Sequence, residues 1–163
     1  MAGFLDRRDV RAVVDLGAAP GGWSQVVAEK FGWRREGDEE GVGVFRARGT
    51  VVAVDLLPVE PISGVRVVCG DFLLGSTTER IRRLLLRDDD DNPDGKADVI
   101  LSDMAANVSG NGVCDIESSL EICEAVVEFA KVNLRSADEI GRRMGGVLLY
   151  VSALFSLDYL RGV

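Results

Sequence analysis

Four aspartates, Asp15, Asp55, Asp71 and Asp103, stand at or just past the ends of apolar runs. Beside the first, Gly17-Ala18-Ala19-Pro20-Gly21-Gly22 supplies a stretch of small-residue backbone. Carboxylates gathered at one edge repel one another unless a ligand with several donors, or a cation, separates them. Ribose hydroxyls, an adenine amino group and an α-ammonium group are such donors. Glycine lets a ligand approach the backbone closely. The 163 residues contain no histidine. That excludes Ser-His-Asp and Cys-His triads, the H-E-x-x-H zinc site and the Cys/His zinc finger. A general base must then be a carboxylate, lysine, tyrosine or cysteine. Lysine is confined to Lys30, Lys96 and Lys131.

The glycine stretch lacks the G-x-G-x-x-G spacing of a dinucleotide site, and no G-K-[ST] occurs, so a P-loop is excluded. A pyrophosphate would also meet carboxylates after the third and fourth apolar runs. S-adenosylmethionine fits better. Asp55 then takes the ribose hydroxyls, Asp71 takes the adenine amino group, and the glycine turn admits the cofactor. The plainer reading of Gly17, Gly21 and Gly22 is a tight turn, and of Asp71 a turn residue. Asp15 could equally cap the turn that follows it.

These residues need a scaffold that brings strand ends together. The sequence predicts strands over Ala12–Leu16, Thr50–Leu56, Val65–Cys69, Ala97–Asp103 and Gly146–Ser152. Helices are predicted over Trp23–Phe31, over Thr77–Arg87 with Thr77 or Ser76 as N-cap, and over Ile116–Arg135. The last is amphipathic, with Leu120, Cys123, Val127 and Ala130 near one face. Leu154–Leu160 could begin another helix, and Arg34–Gly49 reads as a charged insertion, inert in the first reading and an RNA-contacting loop in the second. Strands that are continuous Val/Ile/Leu runs are buried on both faces. Their alternation with helices implies one α/β domain over residues 1–163: a mostly parallel, Rossmann-like sheet with helices on both faces. In such sheets ligands bind beyond the carboxyl ends of the strands.

Composition sets outer limits. A hydrophobic content of 47% supports one sizeable core. No apolar run approaches the ~20 residues of a membrane span. The opening residues lack a signal-peptide layout, so an intracellular protein, cytoplasmic or organellar, is expected. Cys69, Cys114 and Cys123 are odd in number and scattered, which excludes a complete disulfide framework; each reads as a small buried hydrophobe. No metal site is expected. The net charge of −8 makes the chain a poor non-specific binder of nucleic acid, although seven arginines fall in the first third. The acidic runs Glu36–Gly41 and Arg87–Gly95 read as solvated loops.

"VVDLGAAPGGWSQVV", "VVAVDLLPVEPISGVRVVCGDF" and "ADVILSDMAANVSG" together resemble the FtsJ-type 2'-O-ribose methyltransferases of large-subunit ribosomal RNA. The resemblance covers most of Val13 to Leu149. It implies an S-adenosylmethionine-dependent fold, ribosomal RNA or the large ribosomal subunit as substrate, and cofactor contacts on Gly21, Trp23, Asp55, Asp71 and Asp103. With their neighbours, the candidate cofactor-binding set is Asp15, Gly17, Pro20, Gly21, Gly22, Trp23, Asp55, Leu56, Asp71, Phe72 and Asp103. Asp103 is also the candidate catalytic residue. Ala106 stands where the family typically has proline.

The family works with a Lys-Asp-Lys-Glu set, and only its aspartate is matched, by Asp103. No lysine precedes Val13, Val151 falls at or near the second lysine, and the glutamate would lie past Val163. Lys30, Lys96 and Lys131 are not expected at the strand ends. Tyr150 is a poor base at neutral pH and reads as packing. The family's sheet also carries two more strands after the fifth, which would leave the fifth as an open edge here, open to a partner or a second copy. Losses concentrated at the termini point to a fragment, ahead of a divergent paralogue or a partner-completed site. The competing functions are a catalytically inactive cofactor- or RNA-binding subunit and a nicotinamide-dependent oxidoreductase, the latter disfavoured by the missing fingerprint.

Overall fold

The computed structural model describes residues 5, 9–32, 48–86, 92–105, 112–141 and 143–151. Five strands form one parallel sheet: β1 (Ala12–Leu16), β2 (Thr50–Asp55), β3 (Val65–Cys69), β4 (Val99–Ser102) and β5 (Val147–Tyr150). Their spatial order is β3-β2-β1-β4-β5. Every pairing is parallel, with Val14 opposite both Val52 and Ile100, and Ser102 opposite Tyr150. The chain therefore builds outward from β1 in one direction, then returns to β1's other side with β4. That reversal opens a crevice beyond the strand ends.

Successive strand residues point to opposite faces, so the Val/Ile/Leu runs feed two cores. On one face, Val14, Leu16, Val52, Val54, Val68 and Ile100 pack against Ile81 and Leu85 of α2 (Gly75–Leu85) and Val126, Phe129 and Ala130 of α3 (Gly112–Asn133). On the other face, Val13, Val51, Val99 and Leu101 pack against Val27 of α1 (Gly22–Lys30) and Phe31. Both layers expected from the sequence are present.

Several local expectations change. α2 starts two residues before Thr77, with Leu74 as N-cap and no side-chain cap; Thr77 is buried instead. The buried face of α3 carries Asp115, Ser119, Val126, Phe129, Ala130 and Asn133, whereas Leu120 is 47% exposed. Cys69 and Cys114 are exposed and Cys123 half-buried, all three free, so none is a fully buried hydrophobe. A short helix not foreseen, α4 (Ala137–Ile140), is closed by a reciprocal capping box between Ser136 and Glu139. In the second acidic run Asn92 is buried, its side chain bonded to Leu85 O and to the backbone of Lys96. The first acidic run, residues 154–160 and all of the 34–49 insertion except Arg48 and Gly49 lie outside the described residues.

No helix among the described residues is long and apolar enough to cross a membrane. Among them, β5 pairs only with β4.

Candidate functional site

The crevice at the carboxyl ends of β1, β2, β3 and β4 holds a cavity of about 440 Å³, within the range of small-molecule sites. Gly17 and Ala19 line it from the turn after β1, Val54, Asp55 and Leu56 from the end of β2, Gly70, Asp71 and Phe72 from just past β3, and Asp103, Met104 and Ala105 from just past β4; Ile122 of α3 completes the wall.

The glycine turn is held from both sides. The amides of Gly17 and Ala18 both donate to Val54 O, at 2.9 and 3.1 Å, which lays the turn across the end of β2. Gly17 has φ 75°, and a Cβ there would overlap Cγ of Met104. Gly21, at φ 124°, is the N-cap of α1, and its Cβ would lie 2.8 Å from Cδ1 of Ile62. Both positions therefore demand glycine on backbone conformation and on space. Val59 and Ile62, from the loop after β2, pack with Ala18 and fix the turn's outer side.

The carboxylates are not equivalent. Asp55 accepts from Ala19 N (2.8 Å) through one oxygen and from Leu57 N (2.7 Å) through the other. Asp71 Oδ1 accepts from Leu73 N at 2.9 Å. Backbone amides thus balance these two charges before any ligand arrives, and each carboxylate keeps lone pairs for further donors. Asp103 is exposed at the cavity wall. Asp15 sits lower, with 0% exposure. Its Oδ2 accepts from Ser24 Oγ at 2.6 Å, while its Oδ1 has no hydrogen-bond partner among the described residues. Burial raises its pKa from 3.8 to about 6, with Asp103 and Asp55 adding to the rise and the Ser24 bond opposing it.

Of the residues singled out from sequence, Gly17, Asp55, Leu56, Asp71, Phe72 and Asp103 line the cavity. Asp15, Pro20, Gly21, Gly22 and Trp23 do not. Asp15 ties β1 to the first turn of α1, Pro20 follows a cis peptide bond, and Trp23 packs against the α1-side core. The candidate set left out Ala19, Val54, Gly70, Met104, Ala105 and Ile122, which also line the cavity. Met104 and Ala105 follow Asp103 directly and could have been found by extending the strand-end rule one turn. Ile122 could not, because nothing local marks which α3 residues reach the crevice.

The lysines lie elsewhere. Lys96 pairs with Glu139 at 2.5 Å, ahead of β4, and Lys131 with Glu128 at 2.5 Å on α3. Lys30 is in the last turn of α1. Val151 stands at the strand ends, its amide donating to Ser102 O at 2.8 Å.

The profile of the FtsJ-like methyltransferase family matches residues 2–145. The chain belongs to this family. A ribosomal RNA large subunit methyltransferase E from Xanthobacter autotrophicus is 44% identical over 127 residues, covering 78% of this chain and 42% of that protein. The protein of the same name from Bordetella pertussis is 40% identical over 132 residues, covering 81% of this chain and 54% of that one. The chain thus spans about half the length of the curated relatives it matches. In three dimensions it is similar to the crystal structure of a ribosomal RNA methyltransferase, putative, from Plasmodium falciparum. The TM-score is 0.62 at 21% identity, over 93% of this chain and 74% of that one. That likeness bears on the fold, and the fold is the family's α/β methyltransferase type.

Proposed function

We propose that this chain carries the cofactor-binding half of an S-adenosylmethionine-dependent 2'-O-ribose methyltransferase acting on large-subunit ribosomal RNA. The observation that carries the reading is the cavity itself. It gathers Asp55, Asp71 and Asp103 around a glycine turn, with Phe72, Met104 and Ile122 as apolar walls. That acceptor set fits an adenosine bearing a cationic side chain. Asp55 is pinned by two amides in a fixed orientation, which suits two adjacent ribose hydroxyls. Asp71, held by Leu73 N, faces the same cavity for an amino group. Phe72 is braced edge-on by Phe129 at 5.6 Å, a rigid surface for a purine.

The cofactor would supply an activated methyl group, so the protein's share of the work is alignment for in-line attack. Asp103 is the exposed acid at the cavity wall and the residue this reading assigns to the reacting end. Among the described residues no lysine reaches it, which keeps the second reading in view: a cofactor- or RNA-binding subunit without turnover. The outer edge of β5 would serve either reading as the place where a further strand, from a partner or a second copy, joins the sheet.

Calorimetric titration with S-adenosylmethionine and S-adenosylhomocysteine tests the cofactor assignment. Micromolar binding is expected, weakened at least about ten-fold in Asp55→Ala, which strips a charge-assisted acceptor from the ribose. No binding by a folded protein would overturn the assignment. Methyl transfer to ribosomal subunits, lost in Asp103→Ala with cofactor affinity retained, would select the enzyme over the binding subunit.

A further inference from the structure

Tyr150 closes β5, opposite Ser102, at the level where β4 leaves the sheet to deliver Asp103 and Met104 to the cavity. Its hydroxyl donates to Met104 O at 2.9 Å. The other contact on that residue's backbone is longer, Met104 N to Ser102 Oγ at 3.4 Å. Met104 in turn fills the space beneath Gly17 that a Cβ would need. A continuous line of contact therefore runs from the end of β5, through Met104, to the floor of the glycine turn. The phenol is suited to donate: burial first, and Cys123 second, hold its pKa above the usual range, so it keeps its proton.

We infer that Tyr150 is a positioning residue, a strut from β5 that holds the Asp103–Met104 turn against Gly17 and so sets the shape of the cofactor cavity. The tyrosine touches no reacting group in this scheme and acts through Met104 alone. The effect on cofactor affinity rests on the reading given above; the strut itself does not.

Tyr150→Phe keeps the ring and removes one hydrogen bond. The full 163-residue protein and this variant are compared by calorimetry with S-adenosylhomocysteine, by thermal melting, and by NMR of methyl-labelled methionine. Loss of the strut is expected to raise Kd about five-fold, the equivalent of about 1 kcal/mol for a neutral hydrogen bond. Met104 has the only labelled methyl expected to broaden or shift in the unliganded protein, with Met144 as internal control. Introducing Met104→Ala removes the piece that the strut supports, so Tyr150→Phe should add little to Kd in that background. An unchanged Met104 signal overturns the strut, whatever happens to the melting temperature. An unchanged Kd with a changed Met104 signal overturns its role in the cavity. If the unaltered protein binds no S-adenosylhomocysteine, the cofactor reading fails, and the methyl spectra of the unliganded pair still decide the strut.

Discussion

Asp15 shows how a single residue can be arranged for something other than stability. A carboxyl buried with one oxygen that has no partner among the described residues costs free energy in its charged form. Its native pKa of about 6 lies above the ordinary 3.8, so between those values the folded chain holds a proton that the unfolded chain has released. Stability from this group is thus fully present below about pH 4, is lost as pH rises toward 6, and is flat beyond. A rise from 3.8 to about 6 corresponds to a loss of about 3 kcal/mol at neutral pH. Asp15→Asn is expected to remove most of this pH dependence, keep an acceptor for Ser24, and melt higher than the parent at pH 8. Denaturant melts of both proteins from pH 4 to pH 8 check it; parallel curves would refute the assignment. The glycine turn and its aspartates were legible in the sequence because conformation and charge are residue properties. The difference between Asp15, beneath the turn, and Asp55, on the cavity wall, was not. Both stand near a strand's carboxyl end, Asp15 one residue before the end of β1 and Asp55 as the last residue of β2, and the packing of Ser24 and α1 over Asp15 separates them.

At the scale of elements the strands could be read directly, because continuous Val/Ile/Leu runs fit little besides a sheet buried on both faces. The buried face of α3 could not be read. Leu120, Cys123, Val127 and Ala130 form the apolar stripe expected from the sequence, and Ile122, Val126, Phe129 and Ala130 form another that shares only Ala130 with it. Only contact with the sheet selects the second. At the opposite end of the sheet from the cavity, a buried ion pair fastens three elements. Asp98, 0% exposed, accepts from the amides of Arg11 and Ala12 ahead of and in β1, at 2.8 and 2.9 Å, and from Arg135 beyond α3, at 3.2 Å. Arg135 also donates to Glu139 O of α4 at 2.9 Å. Removing one partner leaves a buried charge unbalanced. Arg135→Met is therefore expected to cost about 3 kcal/mol, or roughly 6–12 °C in melting temperature for a chain of this size. Cofactor affinity below the new melting point should be unchanged, since the pair lies across the sheet from the cavity. Calorimetry and thermal melting of the same sample would show both effects, and a variant that kept its stability would mean that the pair is structurally redundant.

For the whole molecule the decisive quantity is charge. The net charge is −8, and the outer surface of α3 presents Glu117, Glu121, Glu124 and Glu128, all exposed and spaced to share one face. The cavity rim adds Asp55, Asp71 and Asp103. On the function proposed above, an RNA substrate would meet the rim carboxylates as it approached the cavity. Of the seven arginines in the first third, Arg7, Arg8, Arg34, Arg35 and Arg46 lie outside the described residues, Arg11 directly precedes β1, and Arg48 is turned inward onto Leu5 O and the Phe31 ring. The described members of this set therefore add little to phosphate neutralisation. Each phosphate contact contributes about one to the slope of log affinity against log salt, and a protein with six to ten contacts loses roughly 10³–10⁵ in affinity between 50 and 200 mM salt. This chain is expected to bind a ribosomal RNA fragment weakly and to lose less than about 100-fold over that range, the equivalent of no more than about three phosphate contacts. Fluorescence anisotropy with a labelled fragment at the two salt concentrations measures the slope. A steep slope would refute this expectation and show that the chain presents a basic surface of its own. A shallow one would mean that this acidic chain, on the function proposed above, contributes little to RNA binding by itself.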